Sequence, residues 1–184
     1  MNIDSFIFIF IVSLFFGSII FFRKKDLKKI SIYQKILTVI IGYICIPVLL
    51  SIPYFLIINN ISFIDSYFEA ISGFTSTGFT IFNNIKHLDE SLILWRSSTQ
   101  WLGGLYFLVS IILLIDIFDK NLKKSLTDLV NFNSNETIKQ CFKLGIIYLL
   151  LTTSIFFILY LSDLRAFNSF NLSLTLISSG GFLP

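Results

Sequence analysis

The sequence predicts an all-α integral membrane protein built from repeated units of helix, half-helix and helix. Three observations predict it. Apolar residues make up 55% of the chain and charged residues only 14%, with a mean hydropathy of +0.83, far from the averages of soluble domains. Several apolar runs approach or exceed the roughly 18–20 residues that a helix needs to cross a bilayer. Between them, stretches such as Ser72-Gly-Phe-Thr-Ser-Thr-Gly-Phe-Thr80 are too hydroxyl-rich for a lipid-facing helix and too uncharged for an ordinary loop.

Taken in order, the first span is Ile3–Phe22, whose cationic flank lies on its C-terminal side and which lacks a small-residue cleavage site. A signal peptide has the opposite charge order, so a retained helix is expected. The second span is Ile36–Ile58; it carries Pro47 and Pro53, which membrane helices tolerate because neighbours satisfy the freed carbonyls. Leu92–Phe118 and Leu144–Leu161 are the third and fourth. The loops after spans one and three hold eleven of the fourteen Lys and Arg residues; only Lys86, Arg96 and Arg165 lie elsewhere. The excess of Lys and Arg in cytoplasmic loops puts both inside. The N-terminus, residues 59–91 and the C-terminal stretch are then expected outside. The chain divides into residues 1–33 (first helix and basic loop), 34–118 (first pore repeat), 119–143 (cytoplasmic linker) and 144–184 (start of a second repeat). The basic runs read as solvated flanks against membrane lipid, and no nucleic-acid partner is expected.

Enzyme chemistry finds little support. Cys45 and Cys141 sit far apart in apolar runs, expected as free, buried thiols without metal-ligand spacing. The single histidine, His87, is in a polar loop, and no serine stands in a nucleophile turn.

The outer segment between spans two and three is the informative one. Ser62 and Asp65 form an S-x-x-D helix start. A helix over 65–75 is roughly 16 Å long at 1.5 Å per residue, about half the hydrocarbon thickness. Ser-Thr-Gly then breaks it, which describes a re-entrant loop. Sliding the chain by 102 residues sets Phe68 on Phe170, Ser76 on Ser178, Thr77 on Ser179 and Gly78 on Gly180, so a second unit of the same kind is expected with its filter at 178–182.

A half-helix entering from outside points its C-terminal carbonyls at the membrane centre, where about half a negative charge favours a cation. Extended backbone beyond it can present carbonyls in place of a dehydrated cation's water, with glycine permitting the approach. Thr77, Gly78 and Phe79 are the expected coordinating backbone of the first loop, with Thr75 and Ser76 just before them. The same stretch also reads as a plain helix C-cap with a small-residue packing face. Arg96 is an ionisable group near the outer end of a span; Glu69 is its first expected partner and Asp65 its second, bracing the filter. Gln100, Gly103 and Gly104 are expected to allow close helix packing, and Trp95 and Trp101 to anchor at the interface.

The run "DSYFEAISGFTSTGFTIFNNIKHLDESLILWRSSTQWLGG" resembles the first pore repeat of the Trk/Ktr/HKT potassium transporter superfamily. The matches are Phe68-Glu69-Ala70, Ser72-Gly73-Phe74-Thr75, Thr77-Gly78, Thr80, Trp95-Arg96 and Gln100 to Gly104. "ETIKQCFKLGIIYLLL" followed by "SSGGF" is similar to that family's second repeat, where a T-G-G-F filter is usual. The resemblance implies a potassium-channel-like pore in which four repeats each give one filter strand. It implies K+ as the transported ion, held at Thr77, Gly78, Ser179 and Gly180, with no covalent cofactor. Ser178 and Gly181 complete the second loop, Gly181 being the register alternative to Gly180. The family's usual partner is a cytoplasmic ring of nucleotide-binding regulatory subunits.

The departures are Phe79 where a small residue is usual and Ser178-Ser179 where Ala-Thr is commoner. Repeats three and four and one N-terminal helix are not in the sequence, so a fragment, a split subunit or pairing with further copies is expected. Potassium uptake through the cytoplasmic membrane is the leading expectation. A non-conducting assembly role is the second, and an intramembrane hydrolase a distant third.

Overall fold

The computed structural model describes residues 31–85, 88–114 and 137–184, together with Phe6, Ile7, Ile11 and Ser18. The expected first span, most of both basic loops, Lys86 and His87 fall outside the described residues. Five helices are described, in chain order: α1 (Ile32–Ile57), α2 (Phe63–Phe74), α3 (Glu90–Leu114), α4 (Thr137–Leu161) and α5 (Ala166–Ile177). Three of them, over Ile32–Ile57, Glu90–Leu114 and Gln140–Leu161, are long and apolar enough to cross a membrane. The chain is an all-α membrane protein.

Each long helix forms where an apolar run satisfies its own backbone, the condition a bilayer imposes. At the start of α1 the Gln34 side chain accepts from the Ser31 amide at 3.1 Å. Pro47 and Pro53 lie inside α1, both buried. The half-helix α2 has 12 residues, about 18 Å at 1.5 Å per residue. Its start is the cap expected from Ser62 and Asp65: the Ser62 hydroxyl accepts from the Asp65 amide at 3.0 Å and donates to the Asp65 carboxylate at 2.7 Å.

The contacts set the directions. Trp95 on α3 donates to the Leu50 carbonyl on α1 at 3.0 Å, and Tyr106, three turns on, donates to the Val39 carbonyl at 3.1 Å. The helices therefore run antiparallel. Trp101 donates to Thr152 at 3.0 Å, while Tyr148 donates back to the Trp101 carbonyl at 3.3 Å, and Gly104 lies against the Tyr148 hydroxyl. So α4 is also antiparallel to α3, and α1 and α4 point the same way. Trp95 and Trp101 each tie α3 to a neighbouring helix through the indole N–H. A core of Leu50, Tyr54, Ala70, Phe74 and Leu92 joins α1, α2 and α3.

The internal repeat is present, in a register of 103 rather than 102. The half-helices Phe63–Phe74 and Ala166–Ile177 keep it end to end. So do the left-handed residues that flank them, Asn60 (φ 63°) with Asp163 (φ 63°) and Ser76 (φ 53°) with Ser179 (φ 54°). Gly78 is thus the counterpart of Gly181, and Thr77 that of Gly180. The cause of the slip is the run Ser178-Ser179-Gly180-Gly181, which offers a serine–glycine match in two adjacent frames. Both cysteines are free, but Cys45 is exposed and Cys141 half-buried, against the expectation that both are buried: they lie on outer helix faces, where hydropathy does not distinguish lipid from protein.

Candidate functional site

The first loop begins where α2 ends. Ser76 adopts a left-handed conformation, so its amide reaches the Gly73 carbonyl at 2.9 Å and the Thr77 amide reaches the Ser72 carbonyl at 3.0 Å. This is a Schellman cap built on serine rather than glycine. The Gly78 amide also points at the Ser72 carbonyl, at 3.4 Å, and the Ser72 hydroxyl donates to the Phe79 carbonyl at 2.6 Å. One serine on the half-helix thereby holds three consecutive residues of the strand. The helix C-cap that the sequence offered as one reading is present, and the backbone held by Ser72 continues directly from it.

Beyond Gly78 the loop is held by a buried charge pair. Arg96 Nε donates to Glu69 Oε1 at 2.8 Å, with the two side chains 1% and 0% exposed. Glu69 also accepts from the Thr80 hydroxyl, 3.0 Å from each carboxylate oxygen, and from the Ile81 amide at 3.1 Å. A second Arg96 nitrogen donates to the Thr80 hydroxyl at 3.1 Å. The carboxylate is almost fully hydrogen-bonded, the condition under which a buried charge is tolerated. Asp65 is not part of this cluster; it is spent on the α2 cap.

The second loop repeats the cap. The Ser179 amide reaches the Leu176 carbonyl at 3.1 Å and the Gly180 amide the Thr175 carbonyl at 2.8 Å. Past the cap the support differs, because the brace comes from α3. The Gln100 side chain is fully buried and lies against Gly180. The Phe182 amide finds the Gln100 oxygen in either orientation of the carboxamide, at 3.3 Å in one and 3.1 Å in the other. Only the second also takes the Gly181 amide, at 3.0 Å, and it removes a clash of NH2 against N–H donors; hydrogen-bond satisfaction selects it. The Phe182 ring then packs under Arg96, whose guanidinium carbon is 4.1 Å from the ring centroid, a cation–π geometry.

The two loops meet at glycine. A Cβ on Gly78, whose φ is +79°, would lie 2.6 Å from the Gly181 Cα, so both backbone conformation and space exclude a side chain there. Gly103 on α3 lets the helix pass against the Phe74 carbonyl. Beneath the meeting point is a cavity of about 410 Å³, lined by Tyr43, Phe107 and Tyr148 and by the capped ends Thr75-Ser76 and Ser178-Ser179. Both half-helices direct their C-terminal dipoles toward it. The carbonyls of Ser72, Gly73, Thr175 and Leu176 are engaged by cap amides, so the free carbonyls expected at this end are fewer than four per helix.

The family model for the TrkH cation transport protein matches residues 2–183. The chain belongs to the TrkH family. An uncharacterized cation transporter of Methanocaldococcus jannaschii is 28% identical over 98% of this chain and 39% of its own length. The Trk system potassium uptake protein TrkH of Salmonella typhimurium is 25% identical over 94% of this chain and 38% of its own. The crystal structure of the potassium transporter TrkH from Vibrio parahaemolyticus matches with a TM-score of 0.76 at 24% identity, covering 98% of this chain and 37% of that one. This TrkH-family chain therefore spans less than two-fifths of the relatives it matches.

Within the TrkH-family fold, the structure brings together Thr75, Ser76, Thr77, Gly78, Phe79, Ser178, Ser179, Gly180, Gly181, Glu69 and Arg96. It leaves Asp65 apart. Sequence reasoning missed Ser72 as part of the site, included Thr80 and Phe182 only as the ends of the filter stretches 75–80 and 178–182, and took Gln100 for a packing residue. Thr80 and Phe182 stood at the ends of the quoted motifs, whereas the contact of Gln100 is with residues more than eighty positions away.

Proposed function

We propose that the chain supplies two strands of a potassium-selective filter in the cytoplasmic membrane, and that its whole protein takes up K+. The observation that carries this is the meeting of two capped loop strands at Gly78 and Gly181, at the ends of two half-helices that point at one cavity. Backbone carbonyls of Thr75, Ser76, Thr77 and Gly78, with those of Ser178, Ser179, Gly180 and Gly181, are the groups that replace the ion's water. The corrected register assigns the central positions to Thr77, Gly78, Gly180 and Gly181. The Phe79 carbonyl is already taken by Ser72 and contributes less. Glu69 and Arg96 brace the first strand, neutralising one another so that neither charge sets the ion's energy alone.

The names of the relatives support potassium as cargo, and glycine at the filter position agrees with it. The remaining strands come from further repeats or further copies. The N-terminus lies outside, and the basic segment 119–143 faces the cytoplasm, available to a nucleotide-binding regulatory subunit. Cells lacking potassium uptake test the reading. Wild-type chain, alone or with a chain supplying further repeats, is expected to restore growth at low K+, and Gly78→Ser to abolish that rescue. Absence of rescue in both wild-type settings would overturn conduction and leave the assembly role.

A further inference from the structure

We propose that Gln100 is a positioning residue for ion discrimination: a side chain of the first repeat that sets the backbone of the second repeat's filter strand. This rests on reading the two loops as filter strands.

The two loops share their cap conformation at Ser76 and Ser179 but differ past it, where Gly78 has a φ of +79° and its counterpart Gly181 is not left-handed; they also differ in support. In the first, the Thr77 and Gly78 amides turn back to the Ser72 carbonyl of their own half-helix, and the Ser72 hydroxyl holds the Phe79 carbonyl. In the second, only the Gly180 amide has the equivalent bond, to Thr175. The next two amides, Gly181 and Phe182, bond instead to the carboxamide oxygen of Gln100, at 3.0 and 3.1 Å. Two adjacent amides directed at one oxygen fix the peptide planes between them, and so fix where the neighbouring carbonyls point. The Gln100 side chain is fully buried, where an unbonded carboxamide would be costly, and orphaned buried amides are rare. Each partner needs the other. Arg96, one turn away on the same helix, fixes the Phe182 ring from the other side. The discrimination of the second strand is therefore written on α3.

Gln100→Leu removes the acceptor at nearly constant volume; Gln100→Glu keeps an acceptor oxygen whether ionised or not. The full chain and both variants are placed in lipid nanodiscs and followed by hydrogen exchange over the Gly181–Phe182 and Thr77–Gly78 segments. Gln100→Leu is expected to speed exchange of Gly181–Phe182 about tenfold while Thr77–Gly78 changes by less than about twofold, and Gln100→Glu to stay near wild type. In the complementing cells, Gln100→Leu should lower the preference for K+ over Na+, and Gln100→Glu should retain it. Unchanged protection in Gln100→Leu would overturn the brace. So would equal loosening of both loops, which marks general misfolding. If wild type carries no cation, the filter reading falls while exchange still decides the brace. If wild type conducts and Gln100→Leu keeps its preference, the role of Gln100 in ion discrimination falls while the filter reading stands.

Discussion

Glu69 and Arg96 form a buried pair that ties a helix to a loop. The carboxylate binds Arg96 Nε at 2.8 Å and the Thr80 and Ile81 donors at about 3 Å, so it holds helix and loop at once. Removing one partner strands the other's charge in a buried site, which costs about 3–5 kcal/mol. Arg96→Met is expected to lower the unfolding free energy by about that amount in detergent melts. Glu69→Gln keeps an acceptor for Thr80 and Ile81. Added to Arg96→Met it should recover about half of the loss, because the pair is replaced rather than broken. Strict additivity of the two changes would contradict the coupling. The pair was legible in the sequence: an arginine inside an apolar span needs a partner, and Glu69 was the nearest acid on the half-helix. Gln100 was not, since nothing local distinguishes a packing glutamine from one whose oxygen serves a loop in the next repeat.

Among elements, α3 carries the most. It packs on α1, on both half-helices and on α4, and it reaches α2 through Gly103, which lies against the Phe74 carbonyl. Gly103→Ala is expected to force α3 away from α2 and cost about 1–3 kcal/mol in thermal unfolding. Gly145→Ala on α4, where nothing lies within 4 Å of the added methyl, should be neutral or stabilising by up to about 1 kcal/mol. A similar loss at both positions would mean that helix glycines act through the backbone rather than through packing. The spans were readable because an apolar run of bilayer length has one stable form in lipid. Their ends were less so: within the described residues α4 already runs from Thr137, seven residues before the apolar run at Leu144, because hydropathy marks the membrane boundary and not the helix boundary. The half-helix was readable from its Ser62–Asp65 cap. The repeat register was not, since two serines followed by two glycines fit either frame, and only the left-handed residues of the folded chain choose between them.

Across the whole molecule the two repeats share an orientation, so Asn60 and Asp163, both exposed turns before a half-helix, belong on one side of the membrane and Ser31 on the other. With Cys45 and Cys141 replaced by alanine, single cysteines at Asn60 and Asp163 should react with an impermeant maleimide from outside intact cells, and one at Ser31 only after permeabilisation. Labelling of Asn60 and Asp163 from opposite sides would refute the parallel arrangement. The repeats also differ in what covers them. Phe182 is 2% exposed beneath Arg96, whereas its counterpart Phe79 is 68% exposed, and the 103-residue register makes that contrast visible.

The contact of Gly78 with Gly181 limits which substitutions this chain can absorb. Both residues already have the smallest side chain available, so an enlargement at one cannot be met by a reduction at the other. Most packed pairs can drift together, one shrinking as its neighbour grows. This pair has no such freedom, so a side chain at either position requires the two loop backbones to move apart.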